Sequence, residues 1–452
     1  MQPVRVEVGV KRLRPPKVMT PFALAYGFAI LIALGTFLLL LPPAHQGGGF
    51  TPFVIALFTA ASAASVTGLL VVESASYWSP FGKVVILILV QLGGLGIITY
   101  STLMFIALGR KIGLRERLVI RGESGTTAVG GVVGAVKQLG LVMLGIEAVG
   151  FVALAARFSF DFPFPTALWH SLFHTVSSFN NAGFVILPGG LGAYRQDVST
   201  LLITTVLLFL GGISIVVMAD VVRHRRFGRL SLDSKLVISA TAGILVLAMV
   251  MFLVTEWSNP ATLGPMGVPG KVLSAFFESS SARTAGFTSV SVGDFAQSTL
   301  LFTMALMFIG GAAASTAGGI KVNSFGVIIA SVIATLRGRS RAEAYNREIP
   351  GQQVSMAITI GVLGGVGVFV MAIVLTQVEE GHFLEVLFET FSAFGTSGYS
   401  TGLPAEMSAT GQVLLTLAMY LGRVGPLTLV LWLVYRRGVE NYRYAQERIR
   451  MG

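Results

Sequence analysis

The chain has 452 residues, of which 54% are hydrophobic and only 12% charged, about half the charged share of a typical soluble domain. This composition excludes a soluble globular protein and favours an integral membrane protein with several spans. The sequence contains no cysteine, which excludes disulfides and cysteine-held metals, and its five histidines leave little for metal catalysis.

The formal net charge of +11 would suit a nucleic-acid-binding protein, but the distribution of the basic residues argues against one. Most lysines and arginines lie in five short segments, which are the N-terminus, residues 110–137, 223–235 and 337–347, and the C-terminal tail. The positive-inside rule places all five segments, with both termini, in the cytoplasm. The charge is therefore explained without nucleic acid.

Long apolar runs recur between the basic segments, two in each interval. They comprise residues 19–42, 81–108, 138–156, 199–222, 236–255, 298–336, 354–376 and 411–435. Each run is long enough to cross a hydrocarbon core of about 30 Å, so eight transmembrane helices are predicted. The first run follows a basic leader and is too long for a signal-peptide core, which predicts a retained span.

A shorter amphipathic run lies between the two long runs of each interval, and all four shorter runs share the ungapped pattern F-x3-S-x5-G-[LFY]. The pattern comprises Phe58, Ser62, Gly68 and Leu69; Phe173, Ser177, Gly183 and Phe184; Phe276, Ser280, Gly286 and Phe287; Phe388, Ser392, Gly398 and Tyr399. Four matches in the same topological place argue against chance and indicate an internal repeat.

The predicted fold is therefore an all-α polytopic membrane protein. Four parallel repeats of helix, re-entrant pore segment and helix surround one central pore. The repeats span residues 19–108, 109–222, 223–336 and 337–437, between a basic N-terminus (1–18) and a tail (438–452).

Each pore segment ends in a short extended strand that contains the repeated glycine. Non-helical backbone is tolerated at membrane depth only where protein buries it or where it lines a water-filled cavity. Four such strands around one axis would present rings of backbone carbonyls, which can replace the hydration shell of a cation. Oxygen ligands without a carboxylate suit a monovalent ion better than Ca²⁺. The predicted filter residues are Val66, Thr67, Gly68, Asn181, Ala182, Gly183, Thr284, Ala285, Gly286, Thr396, Ser397 and Gly398.

The strands "VTGL", "NNAGF", "RTAGF" and "GTSGY", the eight spans and the stretch "GGAAASTAGGIK" together resemble the Trk/Ktr/HKT superfamily of K⁺ transporters and channels. The resemblance covers residues 20–437 and implies K⁺ binding at the four filter glycines. A glycine in the first filter resembles the K⁺-selective members rather than those with serine there. Trk-type chains carry an additional N-terminal helix pair, so this chain is more similar to the Ktr membrane subunit.

The resemblance also implies partners and a location. Ktr-type membrane subunits form homodimers with one pore per protomer in the bacterial inner membrane. They sit on a cytosolic ring of nucleotide-binding RCK subunits of the KtrA kind, and their transport is often Na⁺-dependent. K⁺ is therefore the expected substrate ion, Na⁺ a possible activator, and no covalent cofactor is expected.

The sixth long run is too long for one straight crossing, because a helix from Leu300 to Leu336 would measure roughly 55 Å. One alternative is a continuous tilted helix that uses glycine and alanine for close packing. The glycine pairs favour a break instead, and the resemblance implies an intramembrane gate loop at residues 310–321. The predicted gate residues are Gly310, Gly311, Ser315, Thr316, Gly318, Gly319, Lys321 and Arg423.

Buried charges are expensive in a membrane and suggest functional positions. Arg423 has two interpretations: a pair with an acid such as Glu147, or, by resemblance, a contact with the gate loop below the filter. Arg283 is expected to anchor the third filter through carbonyls or Glu278. Glu278 and Glu389 either attract cations to the vestibule or, as we favour, bond backbone behind the filter.

Competing functions remain open at this point. A transporter of Na⁺ or NH₄⁺, or a Trk-like system, would share the same features. A secondary transporter of another solute commonly uses inverted repeats, whereas these repeats share one orientation. A membrane enzyme would need a cluster of acids, histidines or a nucleophile; His170 and His174 lack the glutamate of a zinc helix. The run "GVLGGVG" at 361–367 is better explained by helix packing than by dinucleotide binding.

Overall fold

The structure is a computed structural model that describes residues 23–107, 128–380 and 382–435. The described residues form fifteen α-helices. These are α1 Ala23–Leu40, α2 Phe53–Ser65, α3 Ser74–Tyr77, α4 Pro80–Ala107, α5 Ala128–Phe158, α6 Phe164–Phe179, α7 Val198–Gly212, α8 Ile215–His224, α9 Leu232–Glu256, α10 Val268–Ser281, α11 Gln297–Phe308, α12 Val322–Leu336, α13 Gly351–Val378, α14 Phe383–Gly395 and α15 Ala409–Tyr435. The predicted basic N-terminus and tail, and residues 108–127, lie outside the described residues.

The four shorter runs form four shorter helices, α2, α6, α10 and α14, each followed directly by an extended segment. Proline stands at or near the start of three of them, at Pro52, Pro165 and Pro269, where its missing N–H costs no helical hydrogen bond. The alternation of helix, short helix, extended segment and helix is thus present in all four intervals.

Three described helices are long and apolar enough to cross a membrane alone: Lys137–Phe158 within α5, and all of α9 and α13. Helices α7 and α8 form a fourth candidate if they count as one span, although they meet at an angle of 98°. Helices α1, α2, α11 and α12, with Pro80–Gly96 of α4, are shorter apolar helices.

Two of the predicted runs are interrupted. The break predicted within 298–336 is confirmed, because α11 ends at Phe308 and α12 begins at Val322. The continuous span predicted for 199–222 is wrong, because the chain turns sharply between Gly212 and Ile215. There Ser214 caps α8 by accepting a hydrogen bond from the backbone N–H of Val216, which starts a new helix direction.

The positions of the repeat pattern face the core. The residue after each repeated glycine is completely buried: Leu69, Phe184, Phe287 and Tyr399. The pattern phenylalanines of the first, second and fourth repeats are also buried, whereas Phe276 is half-buried. Burial of a large apolar side chain contributes about 1.5–3 kcal/mol, so these positions anchor the short helices around the extended segments.

A small β-hairpin departs from the predicted all-α class. Strands β1 Glu343–Ala344 and β2 Arg347–Glu348 pair antiparallel across Tyr345 and Asn346. Both turn residues have positive φ, at 51° and 60°, as a two-residue hairpin turn requires, and asparagine tolerates that conformation well. The hairpin lies in the basic segment that was predicted only as a cytoplasmic connection.

Candidate ion pathway

The four extended segments begin where the short helices stop. In three repeats the residue two before the glycine is left-handed: Val66, Asn181 and Thr396 have φ of 56°, 58° and 48°. Such a residue commonly ends a helix and redirects the chain. The third repeat differs, since α10 runs into a turn at Ala282 and Thr284 has no positive φ. All four filter glycines have positive φ, between 69° and 89°.

The glycines of the four repeats lie side by side in a closed ring, in chain order. A methyl group on Gly68 would lie 2.5 Å from the carbonyl oxygen of Ala182, and one on Gly183 would lie 2.8 Å from that of Ala285. A methyl group on Gly286 would likewise lie 2.9 Å from the carbonyl oxygen of Ser397.

The ring closes between the last repeat and the first. A methyl group on Gly398 would lie 2.1 Å from the carbonyl oxygen of Thr67. Each glycine therefore faces the carbonyl that precedes the next glycine, and a side chain at any of the four positions would collide with backbone. We call these four glycines and the four preceding carbonyls the filter ring.

Most hydroxyls beside the filter ring are hydrogen-bonded to protein. The hydroxyls of Thr67 and Ser65 share a bond of 2.6 Å. Ser397 donates to the carbonyl of Ala282 at 2.8 Å, and Thr284 donates to the side-chain oxygen of Asn181 at 3.2 Å. These bonds tie each filter segment to its own helix or to a neighbouring repeat, whereas the hydroxyl of Thr396 has no partner among the described residues.

The repeated serine supports the filter differently in each repeat. Ser62 accepts a hydrogen bond from the backbone N–H of Gly68 at 3.1 Å, and Ser177 donates to the carbonyl of Phe184 at 2.8 Å. Ser280 donates within its own helix, to the carbonyl of Phe276. The hydroxyl of Ser392 is buried without a partner among the described residues.

Two buried glutamates hold the outgoing ends of the third and fourth filter segments. Glu278 accepts hydrogen bonds from the backbone N–H and the hydroxyl of Ser289, both at 2.7 Å, and from the hydroxyl of Tyr399. Glu389 accepts from the backbone N–H of Thr401 at 2.7 Å. Both side chains are almost fully buried, so the prediction that they bond backbone behind the filter is confirmed.

The loop Gly310–Lys321, here called the gate loop, connects α11 to α12, and its two ends lie side by side. Ile309 and Ile320 form an isolated parallel bridge, and the N–H of Gly310 donates to the carbonyl of Ile320 at 2.8 Å. The N–H of Val322 donates to the carbonyl of Gly311 at 3.0 Å. These bonds close the base of the loop.

The centre of the gate loop contacts the filter segments of the second and fourth repeats. The side-chain N–H of Asn181 donates to the hydroxyl of Thr316 at 3.0 Å. In the fourth repeat a methyl group on Gly318 would lie 1.6 Å from the hydroxyl oxygen of Thr396. The loop thus packs directly against residues that precede two of the filter glycines.

The unpredicted bend between α7 and α8 receives the other side of the gate loop. The carbonyl of Gly211 accepts hydrogen bonds from the backbone N–H of Thr316 at 3.1 Å and from its hydroxyl at 2.9 Å. The carbonyl of Gly212 accepts from the N–H of Ala312 at 3.0 Å. Because the bend frees these carbonyls from their helix, they are available to hold the loop.

A second glycine repeat, missed in the sequence, explains how the outgoing helices reach the filter. Methyl groups on Gly93, Gly211 and Gly422 would lie 2.1, 1.7 and 1.9 Å from the carbonyls of Ala64, Phe179 and Phe394, respectively. Each of those carbonyls belongs to the residue four positions before a filter glycine. The signal was the recurrence of "LGG", "LGG", "IGG" and "LGR" after the four filters.

In the fourth repeat, Arg423 occupies the place of the second glycine of that motif. Its guanidinium donates to the carbonyl of Thr316 in the gate loop at 2.6 Å. Glu147 is not its partner, because the Glu147 carboxylate accepts from the side chains of Gln91 and Asn180 at 3.0 and 3.2 Å. Of the two predicted interpretations, the structure supports the contact with the loop.

The other two basic residues that were predicted to lie inside the membrane, Lys321 and Arg283, have different surroundings. Lys321 donates to the carbonyl of Ala317, inside the gate loop. Arg283 is buried, and of the two predicted kinds of partner, carbonyls or Glu278, the Glu278 carboxylate instead accepts from Ser289 and Tyr399, so an anchor through carbonyls stays a prediction. The Nε atom of Arg283 has no hydrogen-bond partner among the described residues.

The histidine pair and the glycine-rich run 361–367, for which the sequence favoured no catalytic or nucleotide-binding role, both pack against neighbouring elements. His174 shares a hydrogen bond with the hydroxyl of Thr204 at 2.9 Å, and His170 meets the ring of Phe162 edge-on at 4.7 Å. In the run 361–367, a methyl group on Gly364 would lie 2.9 Å from the side chain of Ile320. That glycine lets α13 pack against the base of the gate loop.

Comparison with known proteins decides the family. A family model described as TrkH, cation transport protein, matches residues 10–437. The chain belongs to the TrkH family of cation transport proteins. The resemblance of its motifs to the Trk/Ktr superfamily is thereby confirmed.

Curated relatives of this TrkH-family chain match over nearly its whole length. It is 40% identical to the Ktr system potassium uptake protein B of Bacillus subtilis, over 93% of each chain. It is 35% identical to the potassium/sodium uptake protein NtpJ of Enterococcus hirae, over 98% of each. The fold matches the crystal structure of the potassium transporter TrkH from Vibrio parahaemolyticus with a TM-score of 0.72 and 18% identity, covering 93% of this chain and 87% of that one.

Proposed function

We propose that this protein is the pore-forming subunit of a Ktr-type system and carries K⁺ selectively across a bacterial cell membrane. The cyclic contact of the four filter glycines is the observation that carries the proposal. A ring of backbone carbonyls can replace the hydration shell of a weakly hydrated cation. Carboxylates are absent from the twelve predicted filter residues, which favours a monovalent over a divalent ion.

The proposed topology has eight crossings. Helices α1, α4, α5, α9, α13 and α15 each cross once, and the pairs α7–α8 and α11–α12 supply the two interrupted crossings. Helices α2, α6, α10 and α14 enter from the outer side and return through their extended segments. These four helices are short, their inner ends are buried, and three of them have a proline near the start, which supports this arrangement. A re-entrant segment needs protein rather than lipid around its non-helical backbone.

The gate loop is the proposed barrier to ion flow. It packs against Asn181 and Thr396, and Arg423 donates to its Thr316 carbonyl, which supports a position beside the proposed path out of the filter ring. The small residues at 310–319 leave little side-chain packing to break when that part of the loop moves. An open state would separate the loop from the Gly211 and Gly212 carbonyls while its base stays paired.

The proposed assembly is a homodimer on a cytosolic RCK ring of the KtrA kind, with both termini cytoplasmic and Na⁺ as an activator. A relative named as protein B of a Ktr system supports a multi-subunit system. The basic segments 223–235 and 337–347 give the proposed cytoplasmic side the excess of positive charge that the positive-inside rule associates with it.

The decisive experiment measures ion uptake into liposomes that contain the purified protein. We expect K⁺ or Rb⁺ uptake to exceed Na⁺ uptake, and Gly68→Ser to reduce that preference more than about tenfold, since the new side chain collides with the Ala182 carbonyl. The matched control is Gly48→Ser, which also has a positive φ (72°) but meets nothing within 4 Å. Equal K⁺ and Na⁺ uptake by the unaltered protein would refute the selectivity.

A second candidate is combined K⁺ and Na⁺ uptake. The observation that favours it is the 35% identity to a relative named for potassium/sodium uptake, which extends over 98% of both chains. The same liposome assay separates the two candidates, because combined uptake predicts Na⁺ entry that persists without K⁺ and is lost in Gly68→Ser.

A further inference from the structure

A cavity of about 870 Å³ lies along the helices that flank the gate loop. Its walls come from α9, α11 and α12, and apolar side chains such as Leu247, Phe302 and Ile329 line most of it. At one end the lining changes to two arginines and one acid, Arg337, Arg339 and Glu343, and to the turn of the β-hairpin. The cavity thus combines a long apolar channel with a cationic end.

The cationic end retains unpaired positive charge. Arg339 forms an ion pair with Glu343 at 3.0 Å, and both side chains are largely exposed. The Arg337 guanidinium forms no ion pair within residues 23–107, 128–380 and 382–435. A guanidinium group at the end of an apolar channel suits a phosphate group linked to hydrocarbon chains. The guanidinium can bind two phosphate oxygens at once, and the channel can hold a chain.

The opposite end of the cavity reaches the base of the gate loop. Ile309 lines the cavity, and its backbone forms the bridge with Ile320 that closes that base. Helix α12 runs from the loop to Arg337, a distance of roughly 22 Å for its 15 residues. A ligand along this helix therefore touches both the loop base and the charged end.

We infer that this cavity binds an anionic phospholipid, with one acyl chain between α9, α11 and α12 and the phosphate at Arg337. A cavity with apolar walls and, at one end, an arginine without an ion pair in the described chain favours an amphiphile with an anionic head group. A bound acyl chain would brace α12 and the base of the gate loop in the observed arrangement. The inference does not depend on which ion the protein carries.

Native mass spectrometry of the purified, delipidated protein tests this inference by titration with phosphatidylglycerol or phosphatidylcholine. We expect phosphatidylglycerol to bind more tightly. Arg337→Gln should weaken that binding about fivefold, since one basic residue near a membrane surface contributes about that factor. Gly243→Leu should abolish it, because Gly243 lines the cavity and a Cβ there meets nothing within 4 Å, so the larger side chain should occupy the channel.

Matched controls separate this site from a general surface effect. Arg341→Gln removes a nearby arginine that pairs with Glu348 outside the cavity, and Gly27→Leu adds a leucine at an equally open position on α1. Both should leave phosphatidylglycerol binding unchanged. Equal loss in the controls, equal binding of both lipids, or a Gly243→Leu variant that alters only the dimer fraction would overturn the inference, the last by showing that a second copy fills the cavity.

Discussion

The filter ring and the gate loop are built from similar small residues but are held in opposite ways. Each segment of the filter ring is contributed by a different repeat, and every glycine faces the carbonyl before the next glycine. The gate loop occurs in one repeat only and is held from outside by hydrogen bonds to the second and fourth repeats. The proposed filter needs a segment from every repeat to surround an ion, whereas one loop is enough to form the proposed barrier.

The same contrast separates the two interrupted crossings. The bend between α7 and α8 adds no loop and exposes the carbonyls of Gly211 and Gly212. The break between α11 and α12 inserts the gate loop, whose N–H groups bond those carbonyls. The two breaks are therefore complementary parts of one contact, and neither would be satisfied without the other.

Shortening the gate loop should produce the largest change. Removal of residues 313–316 deletes Thr316 and its bonds to Asn181, Gly211 and Arg423. The remaining ends are already adjacent, since a methyl group on Gly311 would lie 2.5 Å from the Ala317 side chain. We expect K⁺ flux into liposomes to rise more than about tenfold and control by a cytosolic partner to weaken.

The control for this deletion shortens a different loop. Removal of residues 47–49 takes away three exposed glycines outside the gate loop and the filter segments, and flux should stay at the level of the unaltered protein. If the deletion of 313–316 leaves flux unchanged, the loop is not the gate.

Thr316→Val tests the same contact with a smaller change. It keeps the shape of the side chain but removes the hydroxyl bonds to Asn181 and Gly211. At about 0.5–0.7 kcal/mol each, the low end of the usual contribution, the two bonds together contribute about 1–1.4 kcal/mol, so flux should rise roughly five- to tenfold as the loop detaches more often. The matched control is Thr303→Val, because the buried hydroxyl of Thr303 has no partner among the described residues. Equal effects of the two variants would assign the change to packing.

The smallest expected effect compares two serines at one position of the repeat. Ser62→Ala removes the acceptor for the Gly68 N–H, whereas Ser392→Ala removes a hydroxyl without a partner in the described chain. Loss of one hydrogen bond of about 1 kcal/mol should lower K⁺ preference over Na⁺ by up to about fivefold in the first variant only. Rb⁺ uptake in competition with Na⁺ measures the difference, and a matching loss in Ser392→Ala would contradict the assigned support.

Local sequence was sufficient to predict the repeated elements and the break in the sixth run. The pattern around Gly68, Gly183, Gly286 and Gly398 predicted four short helices with extended segments, because each repeat places burial and turn residues at the same offsets. The break in the sixth run followed from its length. The bend after Gly212 escaped prediction, since "LGGIS" also fits a continuous apolar helix and no length argument opposes it.

The sequence by itself determined the repeats, the glycines that adopt positive φ and the approximate limits of the gate loop, because these depend on period, length and local backbone preference. Only the tertiary structure decided which carbonyl each glycine faces, that Arg423 bonds the loop instead of Glu147, and that the second break receives the loop. Those contacts join residues about a hundred or more positions apart, and no local pattern records which buried polar groups will satisfy one another.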